Sequence, residues 1–126
     1  MGAVDWASIE AKILGRVGRK VKFRYPGNGC VYTGRLKDRC VLRAPSWTGT
    51  PYWDVVDLIE FGEPERFEAL RFGYYRWSGG RLIWASQTTL TEPLDVYKSL
   101  FVKAAREKEW FRRFLREVLE EVEKGR

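Results

Sequence analysis

Lys20, Lys22 and Arg24 alternate with Val21 and Phe23, so one extended strand places three cationic side chains on one face and apolar ones on the other. Tyr32 and Arg35, then Lys37, Arg39 and Arg43, continue the mixture of bases and rings. A second set follows at Arg71, Tyr74, Tyr75, Arg76, Trp77, Arg81 and Trp84. The chemistry such a surface supports is recognition of a polyanion: cationic groups hold phosphates and exposed rings stack bases, with little sequence specificity. The expected nucleic-acid contacts, to RNA or DNA, are Lys20, Lys22, Arg24, Arg35, Lys37, Arg39 and Arg43 for phosphate, with Tyr32 and Trp47 for stacking. Trp47 stands in a loop from Ala44 to Pro51 where no strand pattern requires it. The competing use of rings is core filling, but six Trp, six Tyr and seven Phe exceed what one small core needs.

Other chemistries are poorly provided for. The chain has no histidine, which removes Ser-His-Asp and Cys-His nucleophilic catalysis and the H-E-x-x-H zinc site. Cys30 and Cys40 fit neither a C-x-x-C redox pair nor a four-ligand zinc site. If Lys37 and Asp38 form a two-residue hairpin, Cys40 lies opposite Arg35 and Cys30 opposite Pro45, too far apart for a disulfide. Both are expected as inert thiols in a cytoplasmic chain. Asp54 and Asp57 are three apart on a strand and face opposite sides, so they cannot share a metal ion. Asp54 and Glu60 share a face but stand about 20 Å apart by strand rise. Glu117, Glu120 and Glu121 read as solvated helix surface, and neither Gly27–Gly29 nor Gly79–Gly80 is followed by the lysine-headed helix of a phosphate loop. The expectation is a non-catalytic protein without metal or cofactor.

Charge is segregated along the chain. Residues 16–43 hold nine bases against Asp38 alone, whereas residues 52–68 hold six acids against Arg66. Such a dipolar arrangement either steers a polyanion to one side or is neutralised where the two blocks meet on neighbouring strands. One Asn, one Gln and one Met among 126 residues, with 32% charged, is the composition of a thermophile protein.

The elements that must position these residues follow from periodicity. Asp5 caps a helix carrying Trp6, Ile9, Ile13 and Leu14 on one side, which Gly15 and Gly18 stop. Strands are expected over 17–25, 30–36, 39–44 and 52–61, the last apolar on both faces and therefore central. Two aromatic strands, 67–77 and 81–90, flank Ser78, Gly79 and Gly80, a hairpin signal. Thr91 is placed to cap, and Pro93 to open, a helix running to about 124. The length supports a single domain, divided as helix 1–16, barrel strands 17–61, hairpin 67–90 and helix 92–124. The fold class is α+β: strand count and turn spacing resemble a small SH3-like or Sm-like antiparallel β-barrel, extended by the aromatic hairpin, with a short N-terminal and a long C-terminal helix. No run of 18 apolar residues exists, and the start is not a signal-peptide pattern.

The last helix carries a seam. Tyr97, Phe101, Ala104, Lys108, Phe111, Leu115, Val118 and Val122 recur at alternating intervals of four and three. An unbroken helix of this length spans roughly 45 Å, more than a small domain can cover. A homodimer or docked protein partner is therefore expected through Trp110, Phe111, Phe114, Leu115 and Val118, which makes a protein–protein or oligomerisation adaptor the alternative function. Lys108, the one polar residue of the seam, either fixes register or marks a break, which would fall near Arg106 to Lys108.

Overall fold

The computed structural model describes residues 5–44, 51–85 and 90–125. The architecture is α+β, with α1 (Trp6–Leu14), five strands β1 (Lys20–Arg24), β2 (Val31–Arg43), β3 (Tyr52–Glu63), β4 (Phe67–Ser78) and β5 (Arg81–Trp84), and then α2 (Leu94–Glu107) and α3 (Glu109–Lys124). One compact unit falls within Met1–Leu90 and a second within Thr91–Arg126.

In the first unit the strands form one antiparallel meander in the order β1-β2-β3-β4-β5. The sheet is curled and open: among the described residues its two outermost strands do not pair with each other. Central β3 is buried from Tyr52 to Ile59, as its apolar pattern on both faces requires. Asp5 caps α1, its carboxylate accepting from the Ala7 and Ser8 amides and from the Ser8 hydroxyl. These bonds, led by that of the Ser8 hydroxyl, hold its pKa below the ordinary value. Ile9 and Ile13 of α1 pack with Val41, Trp53, Val55 and Tyr75, and Trp6, Trp77, Leu82 and Trp84 border this cluster.

Two elements differ from expectation. Residues 30–44 are not two strands around Lys37 and Asp38 but one thirteen-residue strand. Leu36 faces Ile59 and Asp38 faces Leu58, so Lys37 is the extra residue of a bulge. Cys40 consequently lies opposite Val56, not Arg35, and Cys30 precedes β2; both cysteines are free thiols. A second irregularity, where Thr33 faces Glu63 but Gly34 faces Phe61, leaves Gly62 as the extra residue on β3. The glycine hairpin does form: Ser78 faces Arg81, with Gly79 and Gly80 at φ 58° and 74°.

In the second unit the C-terminal helix is not continuous. Lys108 is extended, at φ −123° and ψ 113°, and divides α2 from α3. Arg112 stabilises the corner by donating from Nε to the Ala105 carbonyl (2.9 Å) and from Nη1 to Glu109 (2.7 Å). The Ala105 carbonyl is one of those a helix terminus leaves without an internal partner. Phe111 is fully buried, its ring edge-on to Phe101 at 5.3 Å, a contact the corner brings about. The N-cap position of α2 is Pro93, with no side-chain cap bond, so Thr91 does not serve as the cap. Among the described residues no helix is long and apolar enough to cross a membrane.

Candidate nucleic-acid interface

Strand register sorts the charged residues of β2–β4 into two groups. On the face away from α1, Arg35 lies opposite Glu60 and pairs with it at 3.6 Å. Lys37 reaches Glu60 at 3.6 Å and Glu68 at 2.9 Å. The hydrogen bond and charge of Glu68, then Glu60, hold the Lys37 pKa above its ordinary value. Part of the basic block is thus neutralised by the acidic one. These two bases are committed to carboxylates.

On the α1 face, Arg39 lies opposite Asp57 and Asp57 opposite Arg71, which places three charged side chains in one row across the sheet. Arg39 grips Asp57 through Nε (2.6 Å) and Nη2 (3.0 Å), while its Nη1 donates to the Ile13 carbonyl and the Tyr75 hydroxyl, both at 3.0 Å. Arg71 donates to the same carboxylate from Nε (3.1 Å) and Nη2 (3.0 Å). Asp57 is fully buried and Arg39 nearly so. Burial opposes the Arg39 charge, but the bonds and charge of Asp57 and a contribution from Tyr75 outweigh it and raise the pKa. The guanidinium of Arg39 sits 5.1 Å from the Tyr75 ring centre, and that of Arg71 sits 4.9 Å from the Trp84 ring.

This row is the floor of a cleft of about 240 Å³. Arg16, Arg19, Lys20, Lys22, Arg39 and Arg71 line it, with Tyr75 and Trp84 among its walls. Arg16 also lies over the Tyr75 ring, at 5.6 Å. Arg16, Arg19, Lys20 and Lys22 are exposed and form no ion pair with a carboxylate among the described residues. Val21 and Arg71 also line a second, mostly apolar groove of about 500 Å³, whose rings include Phe23, Tyr25, Phe61, Phe67 and Phe72. Phe23, Tyr25 and Phe72 are exposed.

Of the residues singled out from sequence, Arg39 therefore lies in the cleft, and Lys20 and Lys22 border it from β1, whose register turns their side chains to the Arg35 face. Arg24 donates to the Gly29 carbonyl at 3.1 Å, and Arg43 lies over the Trp6 ring at 5.5 Å; neither lines the cleft. Tyr32 is half-buried, edge-on to Tyr25, Phe61 and Phe67. Its phenol is pushed above the ordinary value, first by desolvation and then by Cys30 and Glu65. Trp47 lies outside the described residues. Arg16 and Arg19, outside the strand pattern that points to the other bases, also line the cleft, where the glycines that end α1 turn the chain. Among the described residues no three Cys, Asp or Glu side chains gather as metal ligands would.

In the helical unit, Phe111 is enclosed, and Trp110 and Leu115 are half-buried. Phe114 and Val118 are exposed, as are Leu119 and Val122. Comparison with family models, with curated proteins and with solved structures finds no match to this chain.

Proposed function

We propose that this chain is a non-catalytic nucleic-acid-binding module of weak sequence specificity. One observation carries the reading: exposed Arg16 and Arg19, which have no carboxylate partner among the described residues, converge with Arg39 and Arg71 on a single cleft, which Lys20 and Lys22 border from β1. Charges that folding does not use internally remain available to a polyanion. The meander order and the bulge in β2 support a small barrel of SH3-like or Sm-like type, and two free thiols support a reducing, cytoplasmic setting. Replacing Arg16 and Arg19 together by glutamine is expected to weaken binding to unrelated oligonucleotides about equally. It also flattens the dependence of log K on log salt by roughly 0.7–0.9 for each lost phosphate contact. Fluorescence anisotropy across a salt series measures both, and an unchanged slope in the variant refutes this use of the cleft.

A second reading, an association surface for another copy of the chain, is favoured by the exposed row Phe114, Val118 and Val122, with Leu119 beside it, on α3. These residues recur at helical spacing, so they form one apolar stripe. Light scattering at micromolar concentration is expected to give twice the 14.8 kDa chain mass, returning to monomer in Phe114→Ser with Leu119→Ser. A monomeric wild-type protein removes this reading.

A further inference from the structure

The basic cleft has properties that a surface tracking a nucleic-acid backbone does not need. At about 240 Å³ it is smaller than the roughly 300–1,000 Å³ of clefts that enclose drug-sized ligands, so it takes one group and not several nucleotides. Four cationic side chains, those of Arg16, Arg19, Arg39 and Arg71, face it, against the one carboxylate, Asp57, that joins Arg39 to Arg71. That excess is poorly matched to an internal phosphodiester, which carries a single negative charge. A phosphomonoester carries about 1.5–2 at neutral pH, with three strong acceptor oxygens. Part of the donor set is also fixed in advance. Arg71 spends Nε and Nη2 on Asp57 and lies against Trp84. Its Nη1 has no acceptor among the described residues, while the side chain stays about one-third exposed at the cleft. A guanidinium anchored this way loses little freedom on binding an anion. Beyond Val21 and Arg71, which belong to both cavities, lies the apolar groove with the exposed rings of Phe23 and Tyr25. A phosphate site continuous with an aromatic groove is the arrangement one terminal nucleotide requires.

Resting on the nucleic-acid reading, we propose that the cleft seats the terminal phosphate of a single strand and that the neighbouring groove takes the base attached to it. Arg71 supplies the fixed donor, while Arg16 and Arg19 close around the remaining oxygens. Phe23 and Tyr25 offer the stacking surface.

The test compares short fluorescent single strands bearing a 5′-phosphate, a 3′-phosphate or hydroxyls at both ends, at fixed salt. One phosphorylated form is expected to bind about tenfold or more tightly than the hydroxyl form, as one added charge-assisted hydrogen bond gives. The advantage shrinks between pH 7.5 and 5.5, as the monoester takes up its second proton near pH 6. With no histidine in the chain, no protein side chain of ordinary pKa titrates in that window. Arg19→Ala, at an exposed position, is expected to lose most of the preference. Phe23→Ala is expected to weaken both forms about tenfold while keeping the preference. Equal affinity for phosphorylated and hydroxyl strands overturns the terminal-phosphate assignment and leaves the nucleic-acid reading standing. A mononucleotide or inorganic phosphate that binds as tightly as the phosphorylated strand shows that the strand contributes nothing, and overturns the nucleic-acid reading and this assignment together.

Discussion

Asp57→Ala is expected to lower the free energy of unfolding by about 3–5 kcal/mol, the cost of leaving one partner of a buried ion pair alone. Among the described residues Asp57 alone accepts from Arg39 Nε and Nη2, and it also orients Arg71. Arg71 can turn toward solvent when the carboxylate is removed. Arg39 cannot, because it is 1% exposed and tied to the Ile13 carbonyl beneath α1. Domains of this size have about 5–15 kcal/mol in all, so the variant stands near the threshold of folding. Urea denaturation followed by tryptophan fluorescence measures the loss. Removing both partners, in Asp57→Leu with Arg39→Met, is expected to recover much of it, because an apolar pair of similar volume has no charge to desolvate. A loss under about 1 kcal/mol in the single variant would mean that water reaches Arg39 and that the row is not a rigid floor.

Gly34→Ala is expected to be nearly as damaging, through backbone and not charge. A Cβ there would run into the Glu60 carbonyl oxygen and stand 2.6 Å from Phe61 Cα. Neither atom can move without separating β2 from β3 where the pairing steps from Glu63 to Phe61. Overpacking costs about 1–3 kcal/mol where side chains can adjust; a clash with backbone belongs at or above the top of that range. Gly27→Ala is the control, since nothing lies within 4 Å of its Cβ, and it is expected to change stability by less than about 0.5 kcal/mol. Paired thermal and urea melts decide the matter, and equal stability of the two variants would show that the β2–β3 spacing is not fixed at Gly34.

The elements most legible in the sequence are those whose signals are local. Asp5 ahead of Trp6, Ile9 and Ile13 defines α1, and Ser78-Gly79-Gly80-Arg81 defines the tight turn into β5. Lys37-Asp38 resembles a turn only by polarity. A two-residue hairpin needs positive φ at its centre, and no non-glycine residue among those described adopts it. A bulge places Lys37 outward without that cost and keeps β2 in one piece. A turn at Lys37-Asp38 would also leave the site illegible, because Arg39 meets Asp57 only when β2 runs unbroken along β3. Asp57 and Arg71, fourteen residues apart, then follow from the β3–β4 register. The break at Lys108 carries no glycine or proline. Its one local sign is a polar residue within the apolar seam, and its cause lies in the Arg112 bonds and the burial of Phe111.

The open sheet has a consequence for how this sequence can change over time. β1 is an outer strand, and among the described residues β4 from Phe67 to Gly73 has no neighbour beyond it, so within that set backbone donors and acceptors face outward along two borders. An uncovered border invites pairing with another chain, and lysine or arginine side chains are a common deterrent. On β1 that deterrent is Lys20, Lys22 and Arg24. Removing all three leaves Val21 and Phe23 in an uncharged five-residue strand, the composition that drives strand-to-strand aggregation. Even in a lineage that lost its ligand, drift at these positions would be held to charged residues, because neutral ones would cost the protein its solubility.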